Sequence, residues 1–151
     1  MPGMKTMLVK AENKKDFEKI THIWNQNKKE MTDDGRTVTS QELEGFLKYG
    51  FSFYLLEGYA FACVKIERGT MTLAHFAVDC KKRGKGIGKK ICKLIEKKAL
   101  EENCQKLKSS TRADNFISQI VLLKAGFRPA RINYHQFIDS ADEIEYEKYL
   151  K

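Results

Sequence analysis

Proline is scarce, at two residues in 151, and no stretch approaches the roughly 20 consecutive apolar residues that a membrane-spanning helix needs. No linker, low-complexity tract or internal repeat interrupts the chain, so one domain spanning residues 1–151 is expected. The four cysteines (Cys63, Cys80, Cys92 and Cys104) form no C-x-x-C pair and have no histidine at zinc-ligand spacing. They read as reduced thiols in or near a core, and no metal site is expected. The opening Met1-Pro2-Gly3-Met4-Lys5 lacks the apolar run of a signal peptide. A cytoplasmic protein with no membrane partner is therefore expected.

Acidic residues are almost missing from one segment. Across 81–98, Glu96 stands alone against Lys81, Lys82, Arg83, Lys85, Lys89, Lys90, Lys93, Lys97 and Lys98. Elsewhere Glu30, Asp33, Asp34, Glu42 and Glu44 make the region after the first helix locally acidic, within a net charge of +8. A basic pocket for a phosphate-rich cofactor with an acidic approach for an amine has this distribution, and so does an ordinary mixed surface.

The apolar spacing predicts the elements. Met4–Lys10 reads as a strand and Lys14–Lys29 as a helix with Phe17, Ile20, Ile23 and Trp24 on one face. Thr32–Arg36 breaks it, and Ser40 caps a shorter helix from Gln41 to Tyr49 that Gly50 ends. Strands Phe51–Leu56, Tyr59–Glu67 and Met71–Val78 follow, separated by the turn pairs Glu57-Gly58 and Arg68-Gly69. Ile87, Ile91, Leu94 and Ile95 recur at helical spacing. Leu107–Thr111 reads as a strand, Asn115–Lys124 as a helix, and Phe127–Ile138 and Ile144–Leu150 as the last strands. This order predicts an α/β (α+β) mixed sheet covered by helices.

The segment that carries chemistry is Phe76-Ala77-Val78-Asp79-Cys80-Lys81-Lys82-Arg83-Gly84-Lys85-Gly86-Ile87-Gly88-Lys89-Lys90. A strand ends, a basic turn follows, and a helix begins near Gly86. The first turn of a helix offers unpaired N–H groups and partial positive charge to a phosphate. Glycines at 84, 86 and 88 keep Cβ atoms out of the way of a pyrophosphate, and Arg83, Lys85 and Lys89 add charge. A Walker A loop fails here, because Arg83 stands where its first glycine belongs and Lys90 replaces the hydroxyl. A dinucleotide fingerprint fails at Lys89. A solvated basic turn and a nucleic-acid patch remain as alternatives, but a nucleic-acid partner is not the expectation.

Val78 to Gly88 resembles the V-D-P-x-x-R-G-K-G-I-G run of the GNAT acetyltransferases, with Cys80 in place of proline. Asn115, Ser118, Val121, Leu122, Lys124, Gly126 and Phe127 approximate the family's N-x-x-A-x-x-L-Y-x-K-x-G-F. The resemblance implies a mostly antiparallel sheet of about seven strands flanked by about four helices. It also implies acetyl-CoA as co-substrate, with direct transfer of the acetyl group to a primary amine in a ternary complex. Phe76, Ala77 and Val78 would line the pantetheine arm through main-chain groups. Arg83, Gly84, Lys85, Gly86, Ile87, Gly88 and Lys89 would hold the pyrophosphate, with Asn115 and Ser118 approaching from the next helix.

Two positions depart from the family. No carboxylate precedes the cofactor strand, where Thr72, Ala74 and His75 stand, so His75 is the candidate base. Leu122 occupies the position of the tyrosine that protonates the departing thiolate, so water, Ser118 or Tyr134 would have to substitute, with Tyr134 the candidate acid. His22 and His135 read as structural. A non-catalytic acetyl-CoA-binding protein is the alternative reading. Edge strands in so small a sheet allow a homodimer, and the acceptor carries no motif.

Overall fold

The computed structural model describes residues 7–31 and 34–150. Met4–Thr6 of the expected first strand, and Thr32 and Asp33 of the expected loop, lie outside them.

Strand β1 (Leu8–Lys10) leads into helix α1 (Lys14–Gln26). Asn13 starts this helix with a capping box, its side chain accepting the Asp16 N–H while Asp16 reaches back to the Asn13 N–H. The helix stops three residues earlier than its apolar spacing predicts. Asn27 leaves helical geometry and its side-chain amide donates to the Ile23 carbonyl, so a one-turn α2 (Lys28–Met31) follows as a separate piece. Helix α3 (Ser40–Glu44) is capped by Thr39 rather than Ser40, because the Thr39 hydroxyl accepts from the Glu42 N–H. A 3-10 segment, Gly45–Tyr49, replaces the second half of the helix predicted there.

The strands β2 (Phe51–Leu56), β3 (Ala60–Glu67) and β4 (Thr70–Val78) form an antiparallel meander. Its turns have positive φ at Glu57 and Gly58 and at Arg68 and Gly69, the geometry that matches strand twist. A 3-10 turn (Cys80–Lys82), helix α4 (Ile87–Glu101), β5 (Lys106–Arg112), α5 (Phe116–Lys124), β6 (Arg128–Asn133) and β7 (Glu143–Tyr149) complete the order. The seven strands lie as β1-β2-β3-β4-β5-β7-β6, and only β4 and β5 run parallel. Five α-helices occur among the described residues, where the family resemblance implies about four. The last hairpin is shorter than predicted, since β6 ends at Asn133 and His135 and Ser140 take positive φ in the loop beyond.

Each face of the sheet buries its own layer. On one side Phe17, Ile20, Ile23 and Trp24 of α1 and Leu43 of α3 cover Phe53, Leu55, Phe61 and Cys63. Trp24 stacks on Phe61 with ring centroids 5.9 Å apart, and Phe17 meets Phe53 edge-on at 5.5 Å. On the other side Ile87, Ile91 and Ile95 of α4 and Leu122 of α5 cover Leu56, Val64, Met71, Leu73 and Leu107. Full burial of a side chain of this size contributes about 1.5–3 kcal/mol. Cys63, Cys92 and Cys104 are free thiols buried in these layers, and Cys80 is free and exposed. Among the described residues no helix is long and apolar enough to cross a membrane.

The parallel pair β4–β5 is ladder-paired only from Thr70 opposite Lys106 to Leu73 opposite Ser109. At that last step the buried Ser109 hydroxyl donates to the Leu73 carbonyl at 2.9 Å. Removing it should strip a buried carbonyl of a partner, at about 1–3 kcal/mol. Ser109→Ala is therefore expected to lower the unfolding free energy by that amount, seen as a lower urea midpoint with an unchanged m-value. An unshifted midpoint would show that the bond contributes nothing.

Candidate active site at the fork between β4 and β5

Beyond Leu73 the two strands diverge. The cause is in β4, where Cys63 pairs with His75 and Val64 with Leu73, so Ala74 is an extra residue forming a bulge. The remainder of β4 stays paired to β3, as far as Val78 opposite Ala60. Its other edge, from Ala74 to Val78, faces β5 without ladder bonds. The result is a fork whose inner edge presents free main-chain donors and acceptors.

The bulge also reverses the alternation of side chains. Leu73 packs in the α4 layer, and after the extra residue Phe76 and Val78 belong to that layer while Ala77 turns to the α1 side. His75 turns the same way as Ala77, its ring 4.6 Å from Trp24 and 6.3 Å from Phe46. Some of its surface stays accessible, yet this apolar enclosure pushes the imidazole pKa down to about 4. His75 is thus held neutral at pH 7. The Trp24 indole N–H beside it is buried and has no hydrogen-bond partner among the described residues.

The fork opens onto the basic turn. Asp79 accepts the Lys81 N–H and starts the 3-10 segment. Gly84 and Gly86 have φ of 78° and 74°, and a Cβ at either would meet nothing within 4 Å. Both need glycine for their left-handed backbone, and both leave open space in front of the first turn of α4. Gly88 is different. A Cβ there would lie 3.4 Å from Val121 and 3.9 Å from Phe76, so its lack of a side chain serves the contact of α4 with α5 and β4. Ile87 is buried in the core and can offer a ligand only its main chain.

Among the charged residues of the turn, Lys85 and Lys89 are exposed and carry no ion pair among the described residues. Arg83 is engaged elsewhere: its guanidinium donates to Asn27 Oδ1 at the end of α1 and to the Val78 carbonyl. Gln26 accepts the Cys80 N–H at 3.0 Å. Two residues at the end of α1 therefore fix the start of the basic turn.

From the other arm of the fork, Asn115 caps α5 through its Oδ1, which accepts the Ser118 N–H at 3.2 Å. Asn115 also lines a cleft of about 790 Å³ at the end of β5. That cleft is walled by Lys29, Glu30, Asp34, Arg112, Asp114, Phe116, Ile117, Ile138 and Asp139 as well. Sequence reasoning noted Glu30 and Asp34 as part of an acidic region but missed the Arg112 cluster, which joins positions 27 residues apart. Tyr134 is 70% exposed and is not among the lining residues. Leu122 is wholly buried among core side chains. His22 is exposed against Gln26, and His135 lies in a loop rather than a strand.

Residues 15–127 match the acetyltransferase (GNAT) family. This protein belongs to that family, and the match spans the fork, the glycine turn and the helix behind it. The fold is similar to several solved structures. An N-acetyltransferase from Staphylococcus aureus Mu50 aligns over 98% of this chain and 100% of its own, with TM-score 0.82 and 21% identity. The ribosomal-protein-S18-alanine N-acetyltransferase from Escherichia coli aligns over 97% and 95%, with TM-score 0.79 and 18% identity. A phosphinothricin acetyltransferase from Sinorhizobium meliloti, solved with AcCoA, aligns over 97% and 89%, with TM-score 0.82 and 15% identity. A sequence comparison with curated proteins finds no match.

The His75 environment makes a stability prediction. Its folded pKa of about 4 lies below the usual histidine value near 6.5, so between these the unfolded chain binds a proton that the folded chain refuses. The His75 contribution should therefore lower stability as pH drops from about 6.5 to about 4, by at most about 3.4 kcal/mol, and add nothing more below that range. His75→Gln should flatten the decline between pH 6.5 and 5, where carboxylates contribute little. Equal slopes for both proteins in thermal melts would show that His75 is not held neutral.

Proposed function

We propose that this protein is an N-acetyltransferase that uses acetyl-CoA and passes the acetyl group directly to a primary amine within a ternary complex. The observation that carries this reading is the fork beyond Leu73 and Ser109, opening onto the glycine turn at the start of a long helix. A pantetheine arm is a chain of amides, and the unpaired edge of Phe76, Ala77 and Val78 offers amide-matching donors and acceptors. Gly84 and Gly86 leave room for a pyrophosphate at the N–H groups of Ile87, Gly88 and Lys89, with Lys85 and Lys89 supplying charge. Asn115 and Ser118 close the site from α5.

Acetyl-CoA supplies an acetyl group activated as a thioester. In this reading a main-chain N–H near Ala77 stabilises negative charge developing on the carbonyl oxygen. The amine enters from the cleft at the end of β5, where carboxylates draw an ammonium in. His75 sits on the wall of the fork, but burial opposes its charged form, so it is a weak base toward an ammonium. We assign proton removal to water in the acidic cleft and give His75 a positioning part. No side chain at Leu122 can donate a proton to the leaving sulfur. An alkyl thiol with a pKa near 8.5 leaves tolerably without one, at a cost of about 10²–10⁴-fold in rate where an acid would otherwise assist. Tyr134 is the residue left for that part, and its exposure requires the β6–β7 loop to bring it closer.

Gly86→Val should weaken acetyl-CoA binding at least tenfold by calorimetry, with a stability loss of about 1–2 kcal/mol from forcing a side chain into left-handed backbone. Gly88→Val should instead act mainly on stability, by crowding Val121. A folded Gly86→Val protein with undiminished affinity would refute the cofactor assignment. His75→Ala should reduce kcat/KM at pH 7 less than tenfold and leave the acidic limb of the pH profile in place. A loss above about 100-fold together with the limb would restore His75 as the base.

A further inference from the structure

The cleft at the end of β5 has a chemistry of its own. Four carboxylates, Glu30, Asp34, Asp114 and Asp139, face it against two cations, Lys29 and Arg112. The apolar part of its wall is Phe116, Ile117 and Ile138, of which Phe116 and Ile117 are 68% and 78% exposed. Such large apolar surfaces beside an acidic rim fit a ligand with an apolar body and a positive end.

Arg112 decides what else that ligand carries. An arginine fork at the floor of an acceptor cleft is the usual partner for a substrate carboxylate. Here the fork is already full. Its Nε and Nη2 donate to the two oxygens of Asp114 at 3.0 Å each. Its Nη1 and Nη2 donate to the two oxygens of Asp139 at 3.2 and 2.7 Å. Four of its five N–H donors are therefore spent, and Phe137 covers the guanidinium plane at 5.0 Å. The group as a whole is an anion: one guanidinium between two carboxylates. Lys29, the remaining cation, is exposed and next to Glu30, where solvent screens its attraction for an incoming carboxylate. A carboxylate beside the reacting amine would meet repulsion from Asp114 and Asp139 with no free arginine to offset it.

We propose that the acceptor is a cationic primary amine on an apolar body, without a carboxylate next to the amine. Free amino acids are rejected, and amines or carboxyl-blocked amino acids are taken. The inference rests on the acetyl-transfer reading above and narrows its acceptor.

Matched compounds test it. Phenethylamine and phenylalanine, and isoamylamine and leucine, differ within each pair only by the α-carboxylate, and phenylalanine amide retains the size without the charge. Thiol release should give a kcat/KM at least tenfold higher for each amine, and for the amide, than for the corresponding acid. In Asp139→Asn, which frees one side of the Arg112 fork, the ratio of acid to amine should rise about tenfold. Acids used as well as amines, or an unchanged ratio in Asp139→Asn, would overturn the proposal. Acetyl-CoA binding measured on the same preparations separates the failures. Normal binding without the amine preference removes this inference alone, whereas absent binding removes the acetyl-transfer reading with it.

Discussion

One extra residue in β4 organises the catalytic half of the molecule. Ala74 has no partner on β3, and from that point β4 turns its other edge away from β5. The divergence is bounded rather than diffuse, because Ser109 ties the two strands together at the last paired step through the Leu73 carbonyl. Everything assigned to the donor site lies downstream of this point. The free strand edge exists because the ladder stops there. The glycine turn faces it because β4 continues five residues further before the chain turns at Asp79. The bulge also decides which side chains meet which layer, sending Phe76 to α4 and His75 to α1.

The division between legible and illegible features follows from the range of the interactions. The glycine turn, the helix behind it and the meander were readable because backbone preference and apolar period act within a few residues. The same local rules failed where a neighbour across space intervened. The predicted Lys14–Lys29 helix breaks at Asn27, whose side chain bonds back to Ile23 and whose amide oxygen receives Arg83 from the cofactor turn. The predicted strand over 127–138 is cut at Asn133, because Asp142 takes the His135 N–H and folds the loop over. Gly88 reads in the sequence as a third phosphate glycine, and its closeness to Val121 and Phe76 is a packing constraint that the local sequence did not show. The bulge at Ala74 and the Arg112 cluster left no local trace at all, since each is defined by a partner strand or loop distant in sequence.

Charge is segregated across the fork. The lysines of the basic turn and of α4 lie on one side, and Glu96, the one acid between residues 81 and 98, is taken by Lys148 at 2.6 Å. On the other side carboxylates outnumber cations around the cleft. A donor rich in phosphate and an acceptor carrying an ammonium would therefore be drawn to different parts of the surface. Such an arrangement orders the two ligands before any specific contact forms, and it weakens as salt rises.

The two rims of the sheet carry a different message. β1 is only three residues long, and β6 has a proline at 129 followed by a second bulge at Ala130. Proline cannot donate to a ladder and a bulge twists a strand out of register, so neither rim is a template for another backbone. Short edge strands, edge proline and bulges disfavour edge-to-edge stacking of a newly made or partly opened molecule, so the rims of the sheet carry a safeguard against misassembly.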